Sequence, residues 1–498
     1  MLTRKEVLAG LAAAGASAMA VRPRPVVAAE IKSAQGLTAE IADFVVGTGW
    51  SNLPSDLVEL SKKHILDAFG LSLAGQRAET GPIVRRYLAE LGAARGPATV
   101  LGTALTAPPR FAAFANGVAI HADDYDDTQL AVAKDRVYGL LTHPSVTALP
   151  AAMAMAEAGG RSGRDMLLAY HLGVEVETKL AEASRPRAYE DGFHSTGLFG
   201  VFGAATAAAK MRGLDAARVR IALGVAGAQA SGLRENFGTM TKPFQAGHAA
   251  EGGVAAADLA ALGWTAAEDI VEAKRGFFAA VAGGFDAGAI HDKLGRPWSF
   301  LSPGVSIKPY PSGSLTHPAM DEMSRLIRAN GLTPENVVSV KVGANKEMLN
   351  TLIHPRPTTG LEGKFSMQYC MAVLLVAGRA GLGEFTDAAV NGAAVQAMLR
   401  RVEFYNSPEA DAAGADKMHS IIDITLKDGR AVRGVADFAR GSPQFPMSFD
   451  DVVEKFRDCA RYGGLTAPAA ERVIAEVRAL ERVGDVRTLT RLLRVARA

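Results

Sequence analysis

LFGVFGAATAAAKM (residues 198–211) and GHAAEGGVAAADLAAL (residues 247–262) set the fold class of this chain. A half-buried strand would alternate apolar and polar side chains at period two, and neither stretch does. Both are long runs of Ala and Gly, whose small side chains let helix backbones approach closely. Arg212, Arg220, Glu251 and Asp258 interrupt these segments, as expected of buried helices in a soluble protein rather than of membrane spans.

Toward the N-terminus, helical spacing recurs over residues 39–47, 57–75, 82–91, 111–120, 148–157 and 165–182, and residues 216–230 add another helix. The Pro- and Gly-rich stretch from Gly92 to Gly102 reads as a loop. The texture changes near Pro297. Val338, Val340 and Val342 alternate like a half-buried strand, Arg401 to Phe404 reads as a second, and Ile422–Leu426 with Val432 flanks an Asp428-Gly429 turn, a hairpin signal. Beyond Pro446, Val452 to Cys459 and Glu471 to Leu493 return to amphipathic helical patterns. A helical tail after an α/β region fits a discontinuous first domain, and a third small domain equally well.

The first thirty residues stand apart. Arg4 and Lys5, a weakly apolar run from Val7 to Val21, and small-residue sites at Ala18-Met19-Ala20 and Val27-Ala28-Ala29 follow the order of an export signal. Thr3-Arg4-Lys5-Glu6-Val7-Leu8 resembles a twin-arginine motif with Lys5 in the second position, which points to the periplasm. The run is too short for a membrane anchor. The alternative is an N-terminal extension on a cytoplasmic enzyme.

Fifty-four basic residues against 52 acidic ones give a formal charge of +2, which offers nucleic acid no electrostatic footprint. The two cysteines, Cys370 and Cys459, read as buried free thiols, and no CxxC or Cys/His cluster is present in the sequence. A GxGxxG after a strand, a P-loop and a GxSxG are missing as well, which argues against dehydrogenases, kinases and esterases.

The densest polar segment is Asn116 to Thr128, with Asp123, Asp124, Asp126 and Asp127 at the end of an apolar helix. Like charges this close repel and shift one another's pKa values, so they need partners unless they form a solvated helix end. His143-Pro144-Ser145 and His194-Ser195-Thr196-Gly197 each place an imidazole and hydroxyls at the mouth of a helix, with Ser145 as the expected N-cap. A helix N-terminus favours neutral imidazole, which suits a general base. Lys242 and Lys308 lie among apolar and Gly-rich residues, where they are not needed for solubility. Fixed cations of this kind hold a polycarboxylate and the negative charge that builds up in a transition state. Carboxylates with His are also competent metal ligands, yet no EF-hand loop or HExxH occurs, and neither a metal nor a cofactor is assigned. The set suits proton abstraction beside a carboxylate, followed by loss of water or carbon dioxide or by reprotonation.

Leu66-Asp67-Ala68-Phe69-Gly70, the 116–128 block, His143-Pro144-Ser145, Gly192-Phe193-His194, Lys242 to Gly247, Lys308-Pro309-Tyr310-Pro311 with His317, and Lys364-Phe365-Ser366 together resemble the MmgE/PrpD family. The resemblance covers nearly the whole chain after the first thirty residues. That family includes 2-methylcitrate dehydratase, cis-aconitate decarboxylase and an iminodisuccinate epimerase. The resemblance implies a mainly α protein: a large all-helical domain formed by both chain ends (31–295 and 436–498) plus an inserted α/β lid domain (296–435). It also implies a homodimer, and a cleft lined by Asp124, Thr128, His143, His194, Lys242 and Lys308. His143 is then the principal proton-transfer residue, with Asp124 and Thr128 shaping its surroundings. His194 is a second proton-relay group, and the two lysines bind carboxylates.

Two departures from the family pattern bear on the substrate. The loop from Gln129 to Thr142 is long and carries Lys134, Asp135, Arg136 and Tyr138. Gly313 stands where the decarboxylase has a functional His and other members often have Cys. The missing polar side chain counts against decarboxylation of cis-aconitate, and neither departure selects a substrate; the expected activity is a cofactor-independent hydro-lyase acting on a hydroxylated di- or tricarboxylate such as 2-methylcitrate. Epimerisation is the close alternative, decarboxylation the third, and a non-catalytic solute-binding protein the alternative from another class.

Overall fold

The computed structural model describes residues 36–129, 141–185, 187–414 and 417–495; the N-terminal export reading and the residues from Lys134 to Tyr138 lie outside them. In chain order the longer helices of the first half are α1 (Leu37–Gly47), α2 (Ser55–Gly75), α3 (Thr80–Glu90), α4 (Pro109–His121), α5 (Ser145–Gly159), α6 (Gly163–Ala183), α7 (Ser195–Arg212), α8 (Ala216–Gly227) and α9 (Thr241–Ala261). The two small-residue stretches form α7 and α9, which pack on each other, and α9 also lies against α4, α5 and α8. Glycine makes these contacts possible. A Cβ at Gly253 would stand 2.4 Å from Ala204 Cβ on α7, and one at Gly247 would stand 2.4 Å from Val118 Cγ2 on α4. Both distances are far inside van der Waals contact, so the helices approach this closely only because no side chain intervenes.

The stretch read as a loop holds one short pairing, β1 (Ala98–Thr99) antiparallel to β2 (Thr106–Ala107). Two residues per strand are too few for periodicity to reveal. Residues after Pro297 first pack among the helices: Trp298 meets Phe44 of α1, and Phe300 meets His64 of α2 and Tyr170 of α6.

The strand content follows. Helix α10 (His317–Asn330) precedes β3 (Val337–Ala344), and α11 (Met367–Ala377) lies between β3 and β4 (Val402–Asn406). Strands β5 (Ser420–Leu426) and β6 (Ala431–Ala436) complete a sheet of order β4-β3-β5-β6. Strand β3 is parallel to β4 and antiparallel to β5. The β5–β6 hairpin turns at Asp428-Gly429, with Gly429 at φ 87° as such a turn requires. Val340, Val342, Ile422 and Ile424 share a core with Met320 and Met323 of α10 and Met371 of α11. Val338 does not join them. A register shift between Val337 and Ser339 turns Val337 inward and leaves Val338 46% exposed.

The C-terminal segment returns to the first helices. Helices α12 (Phe449–Gly463) and α13 (Ala467–Arg478) pack against α2, and Thr490 donates to Glu157 of α5 at 2.6 Å. The single helix expected from Glu471 to Leu493 is broken: α13 stops at Arg478, Ala479 leaves the helical conformation, and only short turns follow at Leu480–Arg482, Arg487–Thr490 and Arg491–Leu493. Cys370 and Cys459 are buried free thiols. Among the described residues no helix is long and apolar enough to cross a membrane.

Candidate active site

Helix α4 ends at His121, and the acidic cluster that follows runs through the protein interior rather than along a solvated helix end. Each carboxylate meets a partner from elsewhere in the chain. Asp123 pairs with Lys364 Nζ at 2.8 Å. Asp124 Oδ1 receives Lys242 Nζ at 2.7 Å and Lys308 Nζ at 3.0 Å. Asp126 lies 2.9 Å from Nδ1 of both His121 and His143. Asp127 Oδ2 lies 2.8 Å from His64 Nδ1 and accepts from Ser145 Oγ at 2.5 Å. Mutual repulsion is thereby offset residue by residue. Asp124 itself adopts the left-handed region (φ 50°), which costs a non-glycine residue about 1–2 kcal/mol that the two ion pairs offset.

Ser145 is not the cap of α5 but its first residue. Its N–H donates to Asp127 Oδ1 at 3.2 Å, and its hydroxyl lies 2.6 Å from Tyr170 Oη. The capping group is the Asp127 carboxylate, set at the positive end of the helix.

Three imidazoles converge behind this turn. His143 Nδ1 faces three oxygens: Asp127 O at 2.8 Å, Asp126 Oδ2 at 2.9 Å and Thr128 Oγ1 at 3.1 Å. That surrounding places the ring proton on Nδ1 and leaves Nε2 with a lone pair. His121 donates from Nδ1 to Asp126, and its Nε2 accepts from the Lys242 ammonium at 2.7 Å. His194 precedes α7, as its sequence position implies, and its Nδ1 lies 2.7 Å from Gln245 Oε1. Gln245 Nε2 donates to Leu233 O, which fixes the amide so that Nδ1 of His194 carries the proton. Among the described residues, His194 Nε2 is thus a buried acceptor with no donor, and so is Asp124 Oδ2.

Burial is the main influence on all these groups. It lowers His143 against the opposing pull of Asp126, pushes His121 down to about 4, and sets His194 well below the ordinary imidazole range. All three rings are neutral bases at neutral pH. Burial likewise lowers Lys242, against the opposing Asp124 carboxylate, so its ammonium releases a proton more readily than an exposed one. Burial alone would raise Asp124, but Lys242 and Lys308 outweigh it and hold the carboxyl well below the usual range.

Asp124, Thr128, His143, His194, Lys242 and Lys308 all line one small cavity of about 30 Å³. Tyr189, Phe237, Thr351 and Phe365 complete much of its wall, and Gly313 contributes backbone where a Cβ would come 3.3 Å from Leu352 Cδ2. His121 and Asp126 stand behind the cavity. His317 is not in its wall; it bonds to Ser312 O at 3.1 Å. The ring nitrogens of His121, His143 and His194 are close enough to share an ion, as are His121, Asp124, Asp126 and His143. Of these donor atoms, His121 Nε2 and Asp124 Oδ1 already bind the Lys242 ammonium at 2.7 Å, whereas Nε2 of His143 and of His194 still point a lone pair toward the cavity.

Sequence reasoning missed the roles of His121 and Asp126 although both lie in the block it singled out. The signal was the count itself: four carboxylates require several partners, and the nearest imidazole is within five residues of Asp126.

Comparison with known proteins gives a consistent result. The MmgE/PrpD N-terminal domain model matches residues 39–289, and the MmgE/PrpD C-terminal domain model matches residues 310–482. A cis-aconitate decarboxylase of Homo sapiens is 30% identical over 470 residues, covering 92% of this chain and 95% of its own length. The Mus musculus enzyme of the same name is also 30% identical, over 92% of this chain and 94% of its own. A cis-aconitate decarboxylase of Aspergillus terreus is 26% identical over 93% of this chain and 97% of its own.

Proposed function

The chain belongs to the MmgE/PrpD family, and from that premise we propose that it is a lyase that removes water from a hydroxylated di- or tricarboxylate by proton transfer between its own side chains. In this reading Lys308 and Lys242 bind substrate carboxylates. Nε2 of His143 takes the proton from the carbon beside a carboxylate. The electron pair of that C–H bond forms the C=C bond as the C–O bond breaks, and the Lys242 ammonium protonates the leaving hydroxide to water. Negative charge that builds up on the carboxylate meets fixed ammonium groups in a dry site, where such interactions are strongest.

The observation that carries the reading is the pair of buried acceptors that no donor meets among the described residues, Asp124 Oδ2 and His194 Nε2, both in residues of the cavity wall. An acceptor left bare on binding costs about 1–3 kcal/mol. A substrate hydroxyl supplies a donor to one of the two, whereas a fully ionised unsaturated tricarboxylate has none to give. Elimination also begins with a base, and the three neutral imidazoles are bases. The wall at Gly313 offers no side chain to act as an acid.

A second reading, decarboxylation of an unsaturated tricarboxylate, is favoured by the name shared by the human, mouse and Aspergillus relatives. Incubating chelator-treated protein with 2-methylcitrate, citrate, cis-aconitate and iminodisuccinate in deuterated water, followed by NMR, separates the two. Water loss from a hydroxy acid is expected. Carbon dioxide release from cis-aconitate with no reaction of the hydroxy acids would replace dehydration by decarboxylation, and silence across the panel would end the enzyme reading. The cavity has room for little more than a water molecule, so the same proposal makes the sheet-bearing region a lid that opens to admit substrate.

A further inference from the structure

On the other side of the catalytic loops lies a larger opening, a groove of about 1020 Å³. Tyr125, Pro309 and Tyr310, the chain neighbours of Asp124 and Lys308, line this groove and not the catalytic cavity. Its walls come from α10, the 378–384 loop, Arg440 and α12. Six basic residues line it, Arg325, Arg328, Arg379, Arg440, Arg461 and Lys455, against three carboxylates.

Those carboxylates are already engaged. Asp321 accepts from Tyr310 Oη and from the Arg440 backbone N–H, each at 2.7 Å. Glu384 pairs with Arg379 at 2.8 Å and Asp458 with Arg461 at 3.3 Å. Arg325 is held by Glu322 at 2.6 Å. Arg328 and Arg440 carry no ion pair among the described residues. Lys455 is different again, because it is buried under the floor. It pairs with Asp67 at 2.7 Å and donates to Tyr125 O at 2.8 Å and Lys308 O at 2.9 Å. The groove floor is therefore tied to the backbone that carries Asp124 and Lys308.

We propose that this groove binds a small polyanion bearing carboxylate or phosphate groups, anchored by Arg328 and Arg440, as a site separate from the catalytic cavity. Guanidinium groups recognise planar oxyanions through paired N–H donors, and a concave surface of one net sign concentrates the opposite charge. The volume is at the upper end of small-molecule pockets, roughly 300–1000 Å³. An anion held here spans from α10 beside the sheet to the loop and helix of the C-terminal segment, across the floor that supports the catalytic lysine. Occupancy is expected to alter substrate KM through that floor.

The test is isothermal titration of the full chain at low ionic strength with inorganic pyrophosphate and, separately, with benzene-1,3,5-tricarboxylate. Wild type, the Arg328→Gln/Arg440→Gln double variant and Lys242→Met are compared. One site per chain is expected, at least about tenfold weaker in the arginine variant and unaltered in Lys242→Met; the better probe identifies phosphate or carboxylate as the class bound. Affinity retained in the arginine variant, affinity lost in Lys242→Met, or no binding of either probe would overturn the proposal. So would sedimentation velocity in which the arginine variant changes the oligomeric state, because the groove would then be a subunit interface. A wild-type KM that pyrophosphate leaves unmoved removes the link to the catalytic loops.

Discussion

Replacing Asp126 by Asn reaches two imidazoles with a single change. The carboxylate lies 2.9 Å from Nδ1 of His143 and of His121, and it is itself held well below the usual carboxylate range because both rings outweigh the effect of burial. When His143 takes a proton from carbon it becomes an imidazolium beside that carboxylate. A unit charge about 4 Å from the ring centre is worth about 4 kcal/mol at an effective dielectric of about 20. The Asn carbonyl retains part of this as an acceptor, so the loss in the transition state is about 2–4 kcal/mol, or about a 30- to 1000-fold drop in kcat/KM. The pH profile carries a second signature. Asp126 raises both imidazoles against burial, so removing its charge lowers them further. The acid limb of kcat/KM, set by His143 losing its proton, is expected to move to lower pH as the plateau falls. Initial rates from about pH 4 to about pH 9, with melting temperature as the check on folding, give both quantities. An unchanged plateau, or a fall with the limb unmoved, would refute the role given to the Asp126 charge.

Two further substitutions test the electrostatics of the interior. Asp124→Asn leaves two buried ammonium groups without their carboxylate, and urea unfolding at neutral pH is expected to show a loss of about 3–5 kcal/mol. The folded carboxyl is depressed, so its stabilisation is complete above about pH 4 and fades as pH falls; a wild-type advantage that stays constant into acid would contradict the ion-pair account. Glu177 on α6 is fully buried, accepts from Thr147 Oγ1 at 2.7 Å, and is pushed by burial well above the ordinary carboxyl value. The folded state therefore keeps a proton that the unfolded chain releases above about pH 4.5, so stability falls as pH rises. Glu177→Gln removes that cost: its melting temperature should equal or exceed the wild type at neutral pH, with a margin that grows in alkali. A lower melting temperature at neutral pH would reveal an ionic role for Glu177.

The helices were legible because their evidence is local: small or apolar side chains recurring at helical spacing over ten or more residues. Where the determinant was a single residue or a distant partner, the reading failed. The helix whose apolar spacing runs on to Leu493 stops at Arg478, where Ala479 leaves the helical conformation, and the register shift at Val337 reverses the exposure expected of Val338. The two-residue pairing of Ala98–Thr99 left no periodic trace. The cavity residues were picked out by chemistry that is conspicuous in one dimension, namely lysines in apolar settings and imidazoles at helix mouths. Their pairing was not, since Asp124, which shares the cavity wall with His143, also carries both lysines, and the direct contacts to His143 Nδ1 come from Asp126, the Asp127 carbonyl and Thr128. Partners such as His64 and Lys364 come from remote parts of the chain and are joined to the acidic turn only by folding.

The most direct test of the account is a single-turnover comparison of chelator-treated wild type and His143→Gln in deuterated water, on the carboxylate that the wild type converts. If a neutral imidazole beside two buried ammonium groups takes the carbon-bound proton, the variant should still bind that carboxylate, while C–H cleavage slows by about 10²–10⁴-fold. Cleavage at the wild-type rate in His143→Gln, with binding intact, would contradict it.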